Sequence, residues 1–317
     1  MYLAYYGLQE EPFRLTPDPK FLLLAEPHRA GLTMLLEGVL FRKGLMMLTG
    51  PVGTGKTTLL HVALQILSDK SLTTKISVAS AFLFNPTLTR EEFLEALLDE
   101  FEVTCTSTSK SQRLMAFYQM LLETRRNGGR AVLFIDESHL LTVELLEEIR
   151  LLSNIETHVE KLLQIVLCGQ PELATLVGNP ELRALQQRIA GRCELRPLSR
   201  AETRAYIAER LHIAGLREPS PFTSESLEVI YGHSQGVPRL INLLCDNCLW
   251  IGYRTERRQI QPDIVEEAAA SLALTQPGPV TQRKPTPTNA SPAMARSKTP
   301  VDTLIEAMKQ ARLAVQE

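Results

Sequence analysis

Residues 50–57 read Gly50-Pro51-Val52-Gly53-Thr54-Gly55-Lys56-Thr57 and match the phosphate-loop pattern GxxxxGK[ST]. The apolar run Leu45–Thr49 predicts the preceding strand, and Thr58–Leu67 predicts the following helix. The glycines permit a sharp turn that points successive N–H groups at phosphates, and the helix adds the positive end of its dipole. A chance Gly-rich turn is the alternative, but the strand and helix on either side argue against it. The chain is therefore predicted to bind a nucleotide.

The predicted nucleotide-binding set is the motif together with the next residue: Gly50, Pro51, Val52, Gly53, Thr54, Gly55, Lys56, Thr57 and Thr58. Within it, Lys56 is expected to reach the β- and γ-phosphates, and the hydroxyl of Thr57 is expected to be a ligand of Mg²⁺.

A second motif indicates that the nucleotide is hydrolysed as well as bound. The uninterrupted apolar run Ala131–Ile135 predicts a buried parallel strand, and it ends in Asp136-Glu137. In phosphate-loop enzymes the first acid completes the Mg²⁺ site and the second can polarise the attacking water. We therefore assign Asp136 to the metal and Glu137 to the water. The two motifs together predict Mg²⁺-dependent ATP hydrolysis; an exposed acidic turn is the alternative.

Composition describes an ordinary soluble globular protein. The 317 residues are 44% hydrophobic and 22% charged, with a formal net charge of −2, so no protein-wide basic surface for nucleic acid is indicated. Five cysteines, an odd and scattered set, fit a reducing cytosol better than a disulfide framework. A zinc site at Cys245 and Cys248 would need two more ligands at suitable spacing, so we expect buried helical cysteines and no metal except nucleotide-bound Mg²⁺.

The N-terminal residues lack the basic region and apolar core of a signal peptide, and no apolar stretch approaches 18 residues. A cytoplasmic protein without a direct membrane span is predicted. Peripheral docking at the inner membrane through a partner stays open.

Alternating strand and helix patterns predict an α/β fold, a parallel sheet core followed by a C-terminal helical lid. The expected strands lie near 45–49, 74–79, 131–136, 163–168 and 193–196. The expected lid helices are Arg200–Ala214, Ser224–His233, Val237–Gly252 and Pro262–Ser271. The predicted domains are an N-terminal segment and helix at 1–43, the nucleotide-binding core at 44–198, the lid at 199–274, a disordered Pro/Thr-rich linker at 275–300 and a short amphipathic helix at 301–317.

The last predicted helix carries an apolar stripe that would need a partner surface, from another protein or a second copy. Its members are Val301, Leu304, Ile305, Met308 and Val315. A weakly helical tail without function explains the pattern equally well.

Several segments outside the two nucleotide motifs carry a resemblance that covers about residues 1–274. They are the opening Met1–Leu3 with Tyr6–Leu8, Pro12-Phe13, Leu15–Pro19, Leu151–Thr157, Leu163–Leu173 and Gly236–Asn242. In these segments the chain resembles the ExeA-type, or general secretion pathway protein A-like, branch of the AAA+ ATPases. The resemblance implies an AAA+ core with a helical lid, and a homo-oligomer, hexamer-like in form, that assists the assembly of secretion, pilus or polysaccharide-export complexes.

Larger relatives in that family carry a transmembrane segment and a peptidoglycan-binding domain after the ATPase core. Neither pattern follows residue 274 here. We therefore expect any envelope contact to go through a partner protein.

The resemblance also implies roles for single residues. Gln170 occupies the polar sensor position near the γ-phosphate or the water, although a Gln that caps the next helix is the alternative. Arg239, in Gly236-Val237-Pro238-Arg239, resembles the second sensor, which reaches the γ-phosphate from the lid. Arg188 and Arg192 are candidates for an arginine finger given to a neighbouring subunit, and their spacing of four predicts that one helix face or helix end presents both. Exposed surface arginines are the alternative.

Two further functional roles, one for His139 and one for an aromatic cluster near the N-terminus, are less well supported than structural ones. His139 follows the acidic pair, but Glu137 already fills the general-base role, so His139 is interpreted as positional. Tyr5, Tyr6 and Phe13 could pack near an adenine but are more typical of core anchors.

Three functions remain. The leading hypothesis is an oligomeric ATPase that assembles or remodels an envelope complex. The others are a DNA-associated regulator of the transposition target-selection type and a slow, nucleotide-switched scaffold.

Overall fold

The structure is a computed structural model that describes residues 2–16, 19–21, 25–68, 77–84, 86–217 and 219–274. These residues divide into two compact units. The sheet unit consists of residues 26–52 and 56–196, and the helical unit consists of the described residues up to 25, residues 53–55 and those from 197 onward. The predicted linker and tail helix, 275–317, lie outside the described residues.

A parallel sheet is the centre of the sheet unit. Its strands are β1 (Leu45–Thr49), β2 (Val78–Leu83), β3 (Arg130–Ile135), β4 (Leu163–Gly169) and β5 (Ile189–Glu194), in the spatial order β2-β3-β4-β1-β5. Every residue of β1 and β4 is buried, as expected where helices cover both faces of a sheet. The predicted α/β parallel-sheet class is confirmed.

The strand register places the chemistry-bearing loops together. Thr49 pairs with Gly169, and Ile135 pairs with Leu167, so β1, β4 and β3 end at one edge of the sheet. The phosphate loop, Gln170 and Asp136 follow these three adjacent strands directly. Ligands of open α/β sheets bind beyond the carboxyl ends of the strands, so this edge is where a nucleotide is expected.

The helices of the sheet unit are α2 (Glu26–Leu40), α3 (Lys56–Ser68), α4 (Arg90–Glu100), α5 (Lys110–Arg126), α6 (Val143–Leu152), α7 (Glu172–Val177) and α8 (Arg183–Gln186). Short 3₁₀ turns lie at Ser138–Leu140 and Pro180–Leu182. Helix α4 starts with a capping box, in which Thr89 accepts from the Glu92 N–H and Glu92 accepts from the Thr89 N–H. Fully buried side chains such as Phe93, Phe117 and Leu133 form the core.

The helical unit contains α1 (Tyr2–Tyr6), α9 (Arg200–Ile213), α10 (Ser224–Ser234), α11 (Pro238–Arg254) and α12 (Pro262–Ser271), with a 3₁₀ turn at Pro19–Phe21. Tyr6 and Phe13 are buried in its core, which agrees with the core-anchor interpretation. Arg210 joins the N-terminal segment to α9, because its guanidinium donates to the Pro12 carbonyl and, at 2.7 Å, to the Tyr206 hydroxyl.

Cys245 and Cys248 are fully buried on α11, as expected. Burial raises the pKa of the Cys248 thiol to about 12 and also raises that of Cys245, so both stay protonated.

Two predicted strands are displaced. The expected strand at 74–79 begins only at Val78, and residues 74–76 lie outside the described residues; the expected strand at 193–196 is instead Ile189–Glu194. Both are edge strands of the sheet. β5 alternates between half-buried and exposed side chains, and the first half of β2 is only partly buried. Neither strand therefore shows the continuous apolar run that marked the central ones.

Candidate nucleotide-binding site

The phosphate loop has the backbone that its motif requires. Gly53 and Gly55 have φ angles of 79° and 90°, in the left-handed region that glycine adopts without strain. Helix α3 begins immediately afterwards at Lys56. The Gly50 N–H donates to the Gly169 carbonyl at 3.2 Å, which anchors the start of the loop to β4.

Lys56 is nearly buried, with 7% of its surface exposed. Its ammonium donates to the carbonyls of Gly50, at 2.8 Å, and Pro51, at 3.1 Å. Both acceptors belong to its own loop and are neutral. An anionic phosphate oxygen is a stronger acceptor for an ammonium group, so these contacts can be exchanged for a ligand.

Thr57 and Asp136 meet across the end of the sheet. The Thr57 hydroxyl donates to Asp136 Oδ2 at 2.6 Å, and Asp136 Oδ1 accepts from the Glu137 N–H at 2.9 Å. Carboxylate and hydroxyl oxygens are the hard ligands that Mg²⁺ prefers, so this pair fits the ion. Burial raises the pKa of the neighbouring Cys168 thiol, and the Asp136 charge raises it further.

Glu137 differs from Asp136 in both exposure and backbone. Its side chain is 45% exposed. Its backbone is left-handed, with φ 48° and ψ 32°, a conformation that costs a non-glycine residue about 1–2 kcal/mol. The next peptide starts the 3₁₀ turn Ser138–Leu140. Glu137 is thus turned away from the line of β3, and its carboxylate is accessible to water.

Gln170 and His139 form a side-chain pair. Gln170 Nε2 lies 3.0 Å from His139 Nε2, and His139 Nδ1 lies 3.4 Å from Glu137 Oε2. Gln170 contributes its backbone carbonyl to the start of α7, accepting from the Leu173 N–H at 2.9 Å, while its side chain bonds His139. The side-chain capping alternative for Gln170 is therefore not what the structure shows.

Arg239 lies on the first turn of α11 within the helical unit, and its side chain is exposed. Its backbone N–H donates to the Gly53 carbonyl at 3.2 Å. A Cβ added to Gly53 would lie 2.9 Å from the Arg239 Cβ and 3.0 Å from Val237 Cγ1. Gly53 is therefore required for close packing as well as for its φ angle.

The expected presentation of Arg188 and Arg192 on one helix is wrong. Helix α8 ends at Gln186, Arg188 lies in the following turn, and Arg192 lies on edge strand β5. Both side chains are exposed. A spacing of four puts two residues on one helix face only when both belong to the helix, and the spacing alone could not show that α8 ends before Arg188.

Comparison with known proteins shows which family this chain resembles. A model of the AAA domain matches residues 39–177. The chain carries an AAA domain. It is 41% identical over 250 residues to the general secretion pathway protein A of Aeromonas hydrophila, an alignment that covers 78% of this chain and 44% of that protein. The chain therefore spans less than half the length of this relative. The resemblance predicted from the sequence is confirmed.

Solved structures agree on the fold. The ORC2 protein of Aeropyrum pernix, in its ADPNP and ADP complexes, has a TM-score of 0.63 at 16% identity, covering 83% of this chain and 72% of that one. A chain of Drosophila ORC bound to DNA has a TM-score of 0.66 at 17% identity, covering 87% and 67%. At these identities the likeness shows the fold, which is that of the AAA+ phosphate-loop ATPases.

Among the described residues, no helix has both the length and the apolar character needed to cross a membrane.

The sequence did not reveal two features of this site, the contacts of His139 and the crowding at Gly53. The first joins residues 31 apart and the second joins residues of the loop to residues more than 180 positions away. The sequence does contain a signal for the contact between His139 and Gln170. Each is a polar residue just after the end of a predicted parallel strand, and adjacent parallel strands end side by side.

Proposed function

We propose that the chain hydrolyses ATP with Mg²⁺ as a homo-oligomer, hexamer-like in form. We further propose that hydrolysis drives assembly or remodelling of a secretion, pilus or polysaccharide-export complex. The 2.6 Å contact between Thr57 and Asp136 carries the chemical part of this proposal, because it joins the phosphate loop to the acidic end of β3. The sequence similarity to general secretion pathway protein A supports the biological part.

Each part of the site has a task in this proposal. Lys56 exchanges its two loop carbonyls for phosphate oxygens, and Thr57 with Asp136 holds the metal. Magnesium, when bound, neutralises charge on the β- and γ-phosphates. Glu137, water-accessible and next to Asp136, orients and polarises the attacking water.

Three further roles belong to the proposal. Gln170 senses the γ-phosphate or the water, and Arg239 senses the γ-phosphate from the lid. Arg188 or Arg192 acts as the finger for a neighbouring subunit; their exposed positions leave either guanidinium able to contact a second copy. The proposed location is cytoplasmic, with docking at the inner membrane through a partner.

Two substitutions test the chemistry. Lys56→Ala should lower ATP affinity about 10- to 100-fold, because a hydrogen bond to a charged group is worth about 1.5–3 kcal/mol. Glu137→Gln should retain ATP binding and lose about 10²-fold or more in turnover, because general-base catalysis is worth that much. Binding is measured with a fluorescent ATP analogue and turnover by phosphate release. Wild-type turnover in Glu137→Gln would remove Glu137 from the mechanism.

The alternative functions predict different measurements. A DNA-associated regulator should shift DNA in a gel with an affinity that falls steeply with salt, because phosphate contacts release counterions. A nucleotide-switched scaffold should oligomerise with ATP while its turnover stays slow in the oligomer. Turnover that rises with oligomer formation, without a DNA shift, supports the proposal.

A further inference from the structure

His139 occupies a site between two residues of the proposed mechanism. Its side chain is 12% exposed, and its ring contacts Glu137 on one side and Gln170 on the other. The turn that carries it is held firmly, since Ser138 Oγ donates to the Ile135 carbonyl at 2.7 Å and the Leu140 N–H donates to the Glu137 carbonyl at 2.9 Å. A Cβ on Gly169 would lie 3.0 Å from the His139 backbone nitrogen, so this turn packs closely against the end of β4.

The ring makes polar contacts through both of its nitrogens. His139 Nε2 and the side-chain amide of Gln170 share a hydrogen bond at 3.0 Å, whose direction depends on the ring tautomer. His139 Nδ1 accepts from the Gln170 backbone N–H at 3.5 Å and lies 3.4 Å from Glu137 Oε2. The ring is therefore held by Gln170 through two contacts and lies beside the Glu137 carboxylate.

We infer that His139 is a positioning residue that couples Glu137 to Gln170, an inference that rests on the proposed ATPase function. The ring packs beside the Glu137 carboxylate, with Nδ1 3.4 Å from Oε2, and limits the positions that this carboxylate can take. Nε2 fixes the amide plane of Gln170 and leaves the second polar atom of the amide to form a hydrogen bond with the attacking water. The γ-phosphate sensor and the residue that polarises water are thereby aligned through a single ring.

Single and double substitutions test this coupling. His139→Ala should reduce kcat about 10- to 100-fold, the usual effect of removing a residue that orients a catalytic group. The Kd for a fluorescent ATP analogue and the Tm should stay near the wild-type values. His158→Ala, an exposed histidine on the same unit, is the matched control and should change neither kcat nor Kd.

The double variant distinguishes coupling from independent effects. If His139 acts through Gln170, His139→Ala combined with Gln170→Ala should lose much less than the product of the two single losses. Partial rescue by His139→Gln, whose amide can still reach the Gln170 side chain, would support the same conclusion. Multiplicative losses overturn it, as does a fall in Tm and ATP affinity that accounts for the lost turnover.

Failure of this inference is separable from failure of the proposed function. If the wild type turns over ATP and Glu137→Gln does not, while His139→Ala keeps the wild-type kcat, only the role of His139 is wrong. If the wild type does not turn over ATP in any oligomeric state, the proposed function and this inference both fail.

Discussion

At the scale of single residues, Gly53 carries two separate constraints. Its φ of 79° is strained for any side chain, and an added Cβ would press on Arg239 and Val237. We predict that Gly53→Ala lowers both stability and ATP affinity, because neither the loop nor the first turn of α11 can keep its position. Denaturant unfolding and a fluorescent ATP analogue measure the two effects.

Gly128 provides the control for Gly53. It has a similar φ of 74°, but an added Cβ would meet nothing within 4 Å. Gly128→Ala should therefore show only the backbone strain, about 1–2 kcal/mol, and leave ATP affinity unchanged. If Gly53→Ala and Gly128→Ala lose the same free energy of unfolding, the crowding around Gly53 has no energetic effect.

Asp246 gives a prediction that depends on pH. Burial raises the pKa of its carboxyl, although the Tyr2 hydroxyl, which donates to Oδ1 at 2.8 Å, opposes the shift. An acid with a raised folded-state pKa destabilises the folded state as pH rises from its unfolded pKa through its folded pKa. Asp246→Asn keeps an acceptor for Tyr2 and removes the charge.

The variant should accordingly gain stability relative to the wild type at pH 7 and lose that advantage near pH 3. Tm measured across this range checks the sign. A destabilised Asp246→Asn protein at pH 7 would show that the Tyr2 hydrogen bond outweighs the cost of burying the charge.

Residue types and local spacing were enough to predict which residues compose the phosphate loop and the acidic pair. They were not enough to predict what each side chain contacts. Local sequence assigns the general-base role to Glu137 and indicates no contact for His139, because Gln170 is brought beside His139 only by the pairing of β3 with β4.

At the scale of elements, the start of α9 is held by a capping box. The Glu202 N–H donates to Ser199 Oγ at 3.3 Å, and the Ser199 N–H donates to the Glu202 carboxylate at 2.8 Å. Ser199→Ala should destabilise the protein by about 1 kcal/mol, because an N–H at the helix start loses its acceptor. Ser199→Thr retains the hydroxyl and should stay within a few tenths of a kcal/mol of the wild type. Chemical denaturation measures both, and identical curves for the Ala and wild-type proteins would contradict the role of the cap.

Central elements were predicted more accurately than edge elements, for a physical reason. β1 and β4 are buried along their whole length, so hydrophobicity alone marks them. β5 is an edge strand, and its side chains alternate between half-buried and exposed. Its hydrophobic pattern is therefore weaker than that of β1 or β4. For this reason the strand was predicted several residues too late, and Arg188 and Arg192 were predicted to lie on a helix.

At the scale of the whole molecule, the proposed finger must act between subunits. Alanine at the true finger, Arg188 or Arg192, should reduce turnover by about 10³-fold or more with little change in ATP affinity, because the guanidinium stabilises charge that develops in the transition state. The unaffected member of the pair serves as the control for the other.

Mixing experiments decide whether the site is shared. At an ATP concentration that saturates the wild type but not Lys56→Ala, a finger variant and Lys56→Ala should each turn over ATP slowly alone. They should regain some turnover when they form mixed oligomers, because some interfaces then combine an intact phosphate loop with an intact finger. Mixed oligomers without any recovered turnover would argue against a finger in trans.

The left-handed backbone of Glu137 has a consequence for how this sequence can evolve. Glycine and asparagine adopt that conformation more easily than glutamate, so they should fold more stably at position 137. A library varied at this position and selected only for soluble expression should drift toward them and lose turnover. Selection for turnover should restore glutamate and lower the stability of the protein. This opposition between stability and turnover would identify position 137 as functional without any knowledge of the fold.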